Sequence, residues 1–245
     1  METPLSREEL IEKIKKNETV STANTSLIYD MHDLFYHKNL FNQPLNDWDV
    51  SNVTDMKGVF NGATSFNQPL NNWNVSNVEY MNSMFMGATS FNQPLNDWDV
   101  SNVKHMNGMF NNATSFNQSL NDWDVSNVTS MYNMFSGATS FNQPLNDWDV
   151  SKVNDMQDMF RNAVRFNQPL NKWEVSWVSN MFRMFAYAKN YTYSFKTWKL
   201  NPKCRTKEFL VHCHLWHLFN TVEDLPMQNG ERIELYDHKN VWKIL

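Results

Sequence analysis

The sequence predicts a repeat solenoid, and three observations predict it. The first is an unbroken period. Phe41, Phe66, Phe91, Phe116, Phe141 and Phe166 open six copies of a 25-residue unit, the first reading FNQPLNDWDVSNVTDMKGVFNGATS, and a fixed spacing of this size marks a stacked-repeat architecture. The second is a pair of columns that never vary: tryptophan at 48, 73, 98, 123, 148, 173 and 198, and methionine at 31, 56, 81, 106, 131, 156 and 181. With Leu45, Val50, Val53, Val59 and Phe60 these give each unit about eight large apolar groups, too few to offset the cost of ordering 25 residues alone, so the units must stack. The third is a pair of asparagine columns, Asn42 to Asn167 and Asn46 to Asn171 at steps of 25, whose amides can bond along a stack and satisfy turn backbone.

Residues 1–15 are expected to form a helical cap. Ser6 and Glu9 make a capping box, and Leu5, Leu10, Ile11 and Ile14 share one side. The solenoid is expected over 16–203, with six full copies at 41–190 and partial copies at 16–40 and 191–203; Ile28, Met31, Leu34 and Phe35 lie 25 residues before Val53, Met56, Val59 and Phe60. Within a copy, Leu45–Val50 and Val53–Met56 read as one or two short parallel strands. Met56, Val59, Phe60 and Ala63, at i, i+3, i+4 and i+7, read as a two-turn helix. Gly62, Gly87 and Gly137, with Asn112 and Asn162 in their column, suit a left-handed terminus. Residues 204–245 leave the pattern and are expected to be a mixed cap or a small module, with a helix over 206–219, a turn at Gln228-Asn229-Gly230 and a strand over 232–237.

The unit resembles the 25 to 26-residue repeat of bacterial surface proteins and mycoplasma proteins of unknown function, a relative of BspA-like leucine-rich repeats. The segment MFNNATSF at 109–116 is similar to the helix-to-strand passage of those units, with Ala113 where they often carry cysteine. The resemblance implies a leucine-rich-repeat-like solenoid used for adhesion or protein recognition. It extends to arrays of large DNA viruses and protists, so a viral, host-interacting protein is one expectation.

Chemistry-bearing patterns are few. Net charge is -5, and no basic patch suited to nucleic acid appears. No run approaches the roughly 20 apolar residues of a membrane span, and the amino terminus lacks a secretory core; a soluble, intracellular protein is expected. His212, Cys213, His214 and His217 carry metal-ligating types, but their spacing matches no zinc pattern, so packing roles are expected. Asp49, Asp99, Asp124, Asp149 and Glu174 share a column. Turn hydrogen bonds from the following serines, rather than calcium between coils, are expected to offset their repulsion. Catalysis needs one assembled constellation, whereas every feature here recurs six times; no enzyme, cofactor or metal is expected.

Invariant letters write the coil, so a partner must read the variable ones. These flank the methionine column, as pairs at 54–55, 57–58 and their equivalents in later copies, and are expected to face solvent. Glu79, Tyr80, Lys104, His105, Tyr132, Asp155, Phe182 and Arg183 are the candidate protein-binding residues. The expected function is non-enzymatic protein–protein recognition. The alternative is a structural or surface component that self-associates, through exposed aromatics such as Tyr80, Tyr132, Trp177, Phe182 and Tyr187.

Overall fold

The computed structural model describes residues 3–213 together with the short strands at 227–228, 231–232, 235–237 and 240–242. Helix α1 spans Arg7–Lys15 and begins where the sequence places a cap: the Ser6 hydroxyl accepts from Glu9 N, and the Glu9 carboxylate accepts from Ser6 N at 2.8 Å. Leu10 and Ile14 are buried, and Leu5 and Ile11 pack against the core.

Beyond α1 the chain makes eight turns of 25 residues, called coils here, the first at 16–40 and the last at 191–213. Each coil hydrogen-bonds to the next. Parallel one-residue bridges link Asp30, Asp55, Tyr80, His105, Ser130, Asp155, Asn180 and Arg205 in succession. Around each bridge runs a longer ladder: Met56, Gly58, Phe60 and Gly62 donate their N–H groups to the carbonyls of Tyr80, Asn82, Met84 and Met86 at 2.7–2.9 Å. The intervening residues bond backwards within the coil, Asn61 N to Gly58 O and Ala63 N to Phe60 O.

This alternation replaces the helix expected over 56–63. The apolar stripe is real, since Met56, Val59, Phe60 and Ala63 are all buried. An α-helix would commit each N–H to the carbonyl four residues back, and here every second one goes to the neighbouring coil. Left-handed residues make the switch possible. Gly58 and Gly62 have φ of 62° and 73°, and the same two columns are left-handed through Asn133 and Gly137, Asp158 and Asn162, and Arg183 and Tyr187. A left-handed residue every fourth position interrupts right-handed coiling, so the chain advances across the stack instead of around a helix axis. Of the expected strands, Val53–Met56 shrinks to the single bridge at Asp55, and Leu45–Val50 forms a turn with no bridge.

The ladder also runs past residue 203, where the sequence motif fades. Arg183, Phe185 and Tyr187 donate to the carbonyls of Lys207, Phe209 and Val211, and Cys213 is buried at the place of Ala188. Residues 206–213, expected to begin a helix, therefore form turns of an eighth coil; the rest of that segment lies outside the described residues. Further on, β1 (Met227–Gln228) pairs antiparallel with β2 (Glu231–Arg232), and β3 (Leu235–Asp237) pairs antiparallel with β4 (Asn240–Trp242). The strand expected over 232–237 thus divides between two hairpins.

Inside the stack, rings repeat in register. The Phe35 to Phe185 column stacks at 5.3–5.7 Å and the Phe41 to Tyr191 column at 5.9–6.0 Å. Each tryptophan of the 48 to 198 column donates its indole N–H to a leucine or valine carbonyl of the preceding coil, as Trp123 does to Leu95 O at 2.8 Å. The Asn42 column forms a second ladder: Asn67 N donates to Asn42 Oδ1, Asn92 N to Asn67 Oδ1, and so on to Thr192 N on Asn167 Oδ1. At the first coil, whose outward carbonyls have no preceding coil, Arg7 of α1 donates to Asp30 O and His32 O.

Two substitutions check this accounting. A Cβ at Gly137 would collide with the Asn112 amide oxygen in a left-handed backbone, so Gly137→Ala should lower unfolding free energy by about 1–3 kcal/mol in a denaturant titration. Tyr191 replaces phenylalanine in its column with its hydroxyl buried and, among the described residues, without a hydrogen-bond partner. Tyr191→Phe should therefore raise stability, by about 1 kcal/mol in the same assay.

Candidate functional site

The variable side chains stand where the ladder leaves room for them. In coils 2 to 7 the residue before the bridge donates its N–H to the previous coil, as Glu79 does to Thr54 O and Lys104 to Glu79 O. The bridge residue itself and the one two places on present side chains outward, because the methionine between them turns into the core. Tyr80 and Tyr132 are among the exposed large side chains. The backbone along this face is fixed by invariant pairing, so its chemistry is set by the varying letters alone.

The structure gathers four of the candidates on neighbouring coils. Lys104 Nζ lies 2.7 Å from Glu79 Oε2, and the Tyr80 and His105 rings stack at 5.5 Å and 10°. The ion pair holds the Lys104 ammonium in its charged form and raises its pKa, chiefly through the Glu79 hydrogen bond. Asp155 lies two coils further on and accepts from Gln157 N at 2.9 Å, a local turn. Tyr132 stands between these groups.

Phe182 and Arg183 belong to a separate cluster. The Phe182 ring is flanked by the guanidiniums of Arg183 at 4.4 Å and Arg205 at 4.2 Å. Arg183 also pairs with Asp158, by charge at Nε (3.0 Å) and by a hydrogen bond from Nη2 (3.2 Å), while Arg161 approaches the same carboxylate at 3.7 Å. Asp158, expected to face solvent with its column, is only 3% exposed. The left-handed backbone at 158 tucks the side chain against the stack, and the two arginines neutralise it. Sequence reading missed Asp158, Arg161 and Arg205, because the pairing links three coils; the one available signal was the coincidence of an acid and two arginines at steps of 3 and 25.

The metal-ligating residue types do not converge. His212 is exposed and stacks on Tyr187 at 4.8 Å, whereas Cys213 is buried and donates its thiol to Phe185 O and Ala188 O. His214 and His217 lie outside the described residues, and among the described residues no three His, Cys, Asp or Glu side chains gather as a metal site. Burial pushes both thiols, Cys204 and Cys213, up to about 12.

The acidic column is absorbed by turns. Asp49 Oδ1 accepts from the Ser51 hydroxyl at 2.6 Å and from Ser51 N at 3.0 Å, and Asp99 repeats the pattern. These bonds, the hydroxyl first, hold the carboxyls of Asp49, Asp124 and Asp149 below the usual range; for Glu174 the Ser176 backbone N–H leads. A further asparagine column, Asn52, Asn77, Asn102 and Asn127, donates to the serine carbonyls one coil back. The column continues as Lys152, which donates to Asn127 Oδ1 at 2.7 Å, and Trp177, 72% exposed.

Stacked coils with an invariant frame and a variable face define a tandem-repeat protein. A family model confirms the class: the chain belongs to the family described as Mycoplasma protein of unknown function, DUF285, which matches residues 6–123 and 114–214. Comparison with curated proteins and with solved structures returned no match. Among the described residues no helix is long and apolar enough to cross a membrane.

Two measurements test these microenvironments. Cys204 and Cys213 should resist a thiol-specific disulfide reagent in the native protein and react on unfolding, because the attacking species is the thiolate. The depressed carboxyls favour the fold in their charged form: their contribution is present above the ordinary carboxylate range and lost as pH falls through the depressed values. Ser126→Ala should move the Asp124 titration, followed by carbonyl NMR, up towards its ordinary value.

Proposed function

We propose that this protein is a non-enzymatic recognition scaffold, a leucine-rich-repeat-like solenoid whose variable face binds a protein partner. One observation carries the reading: the residues that repeat are spent on core and inter-coil bonding, whereas the bridge column and its neighbours carry a different side chain in nearly every coil. Extended faces of this kind are the usual binding surfaces of repeat proteins. Four of the eight candidates, Tyr80, Tyr132, Phe182 and Arg183, are of types enriched at interfaces. The Glu79–Lys104 pair and the Tyr80–His105 stack make the first contact region, and Phe182 between Arg183 and Arg205 the second.

Self-association is the second reading, and the exposed Trp177 indole favours it, since tryptophan is enriched at protein interfaces relative to the rest of the surface. Light scattering separates the two: a concentration-independent monomer that still captures a partner supports recognition alone.

The test must spare the fold. Arg183 is a poor target, because reversing it would leave the buried Asp158 facing a second acid. Reversal at Lys104 and Arg205 together should reduce affinity capture of the partner from the native source at least about tenfold, as loss of interface anchors does, while thermal unfolding stays within about 2 °C of the parent. Undiminished capture by that variant would move binding off this face.

A further inference from the structure

The first coil departs from the repeat around one cleft, and the departures share a chemistry. A cavity of about 570 Å³ opens between the end of α1 and the return of coil 1, lined by Ile14, Glu18, Val20, Lys38, Leu40 and Phe41 among others. That volume is in the range of small-ligand sites. Phe41 is the first ring of its column. Phe41 stacks on Phe35 at 3.9 Å, as Phe66 does on Phe60 at 4.0 Å, but along its own column Phe66 has neighbours on both sides, at 6.0 and 5.9 Å, while Phe41 has Phe66 alone. Lys16, 25 residues earlier, ends α1 and faces solvent, so no ring continues the stack. Every later phenylalanine of the column is buried; Phe41 is half-buried and looks into the cleft.

The second departure is Lys38. Its column holds alanine at 63, 88, 113, 138, 163 and 188, each fully buried. The first coil places an ammonium-bearing chain there instead, half-buried in the cleft wall. The cleft's one carboxylate, Glu18, is paired with Lys13 at 3.2 Å, and among the described residues no acid lies within ion-pair distance of Lys38. Leu40, whose column is serine at 65, 90, 115 and 140 and polar again at Arg165 and Asn190, stands 90% exposed at the rim. An open ring, an uncommitted cation and an apolar rim thus meet in one concavity.

We propose that this cleft binds an aromatic group carrying a carboxylate, the ring continuing the stack beyond Phe41 and the carboxylate pairing with Lys38. The ligand's ring takes the column place before Phe41, in the near-parallel, offset relation at about 6 Å that the column's rings keep with one another. Its charge meets a cation partly shielded from water, where an ion pair counts for more than at an open surface. Two sources offer this chemistry: a free aromatic acid, or the carboxy-terminal aromatic residue of a peptide.

Calorimetric titration of the full chain with 3-phenylpropanoate, and with the peptide Gly-Gly-Gly-Phe bearing a free terminus, tests the site. The comparators are 3-phenylpropanamide, hexanoate and the amidated peptide. Saturable one-to-one binding is expected, with the acid preferred to the amide by about tenfold, the equivalent of a modest ion pair. Lys38→Ala, which installs the residue of the other coils, should abolish the acid-over-amide preference, and Phe41→Leu the preference for 3-phenylpropanoate over hexanoate. Tighter binding of the peptide would name a chain terminus as the natural ligand, and tighter binding of the small acid a free metabolite. Absence of saturable binding, or either preference surviving its substitution in a variant that melts like the parent, overturns the proposal.

Discussion

The inter-coil backbone ladder is the constraint on which the rest depends. A 25-residue turn with about eight large apolar groups cannot cover its own ordering cost, and its N–H and C=O groups need partners wherever the core excludes water. Bonding to the next coil answers both needs at once, because it brings the apolar columns into register as it satisfies the backbone. The tryptophan indole bonds and the asparagine ladder extend the same solution to the corners, where regular strands are absent. The ends of such a ladder are then the weak points, and Arg7 of α1 bonds to two outward carbonyls of the first coil.

The ladder also sets the backbone. Holding residues 56–63 flat across the stack requires left-handed φ at two positions per coil, which glycine and asparagine adopt at little cost and bulky residues do not. Coils 2 to 5 place glycine at one or both of these positions. Coil 7 instead holds Arg183 and Tyr187 there, at φ of 53° and 63°. The cooperative stack sustains that strain, and the same two residues line the arginine–aromatic cluster, where strained backbone and surface chemistry coincide.

Function is confined by what the frame has already used. Columns that vary can do so only where the side chain neither enters the core nor takes part in a ladder, and this leaves the bridge column and its neighbours. Variation within that space still acquires structure, as the burial of Asp158 between Arg161 and Arg183 shows. The end of the stack is different again: with no coil before it, the first coil can replace buried alanine with Lys38 and leave Phe41 of the next only half-buried without breaking the stack.

Periodicity alone determined the repeat length, the buried columns, the capping box at Ser6 and Glu9, and the turn role of Asp49 and its equivalents, because each rests on local spacing that recurs in every copy. Which face of a coil is core was legible from invariance. The form of the chain between Met56 and Ala63 was not: the i, i+3, i+4 spacing fits a helix and this alternating ladder equally, and only the competition for each N–H between its own coil and the next decides. The extent of the eighth coil was hidden likewise, since backbone pairing carries it to Cys213 after the side-chain motif has faded. The pairings of Arg183 with Asp158 and Tyr80 with His105 were decided by tertiary structure, because stacking places residues 25 apart in sequence within contact distance.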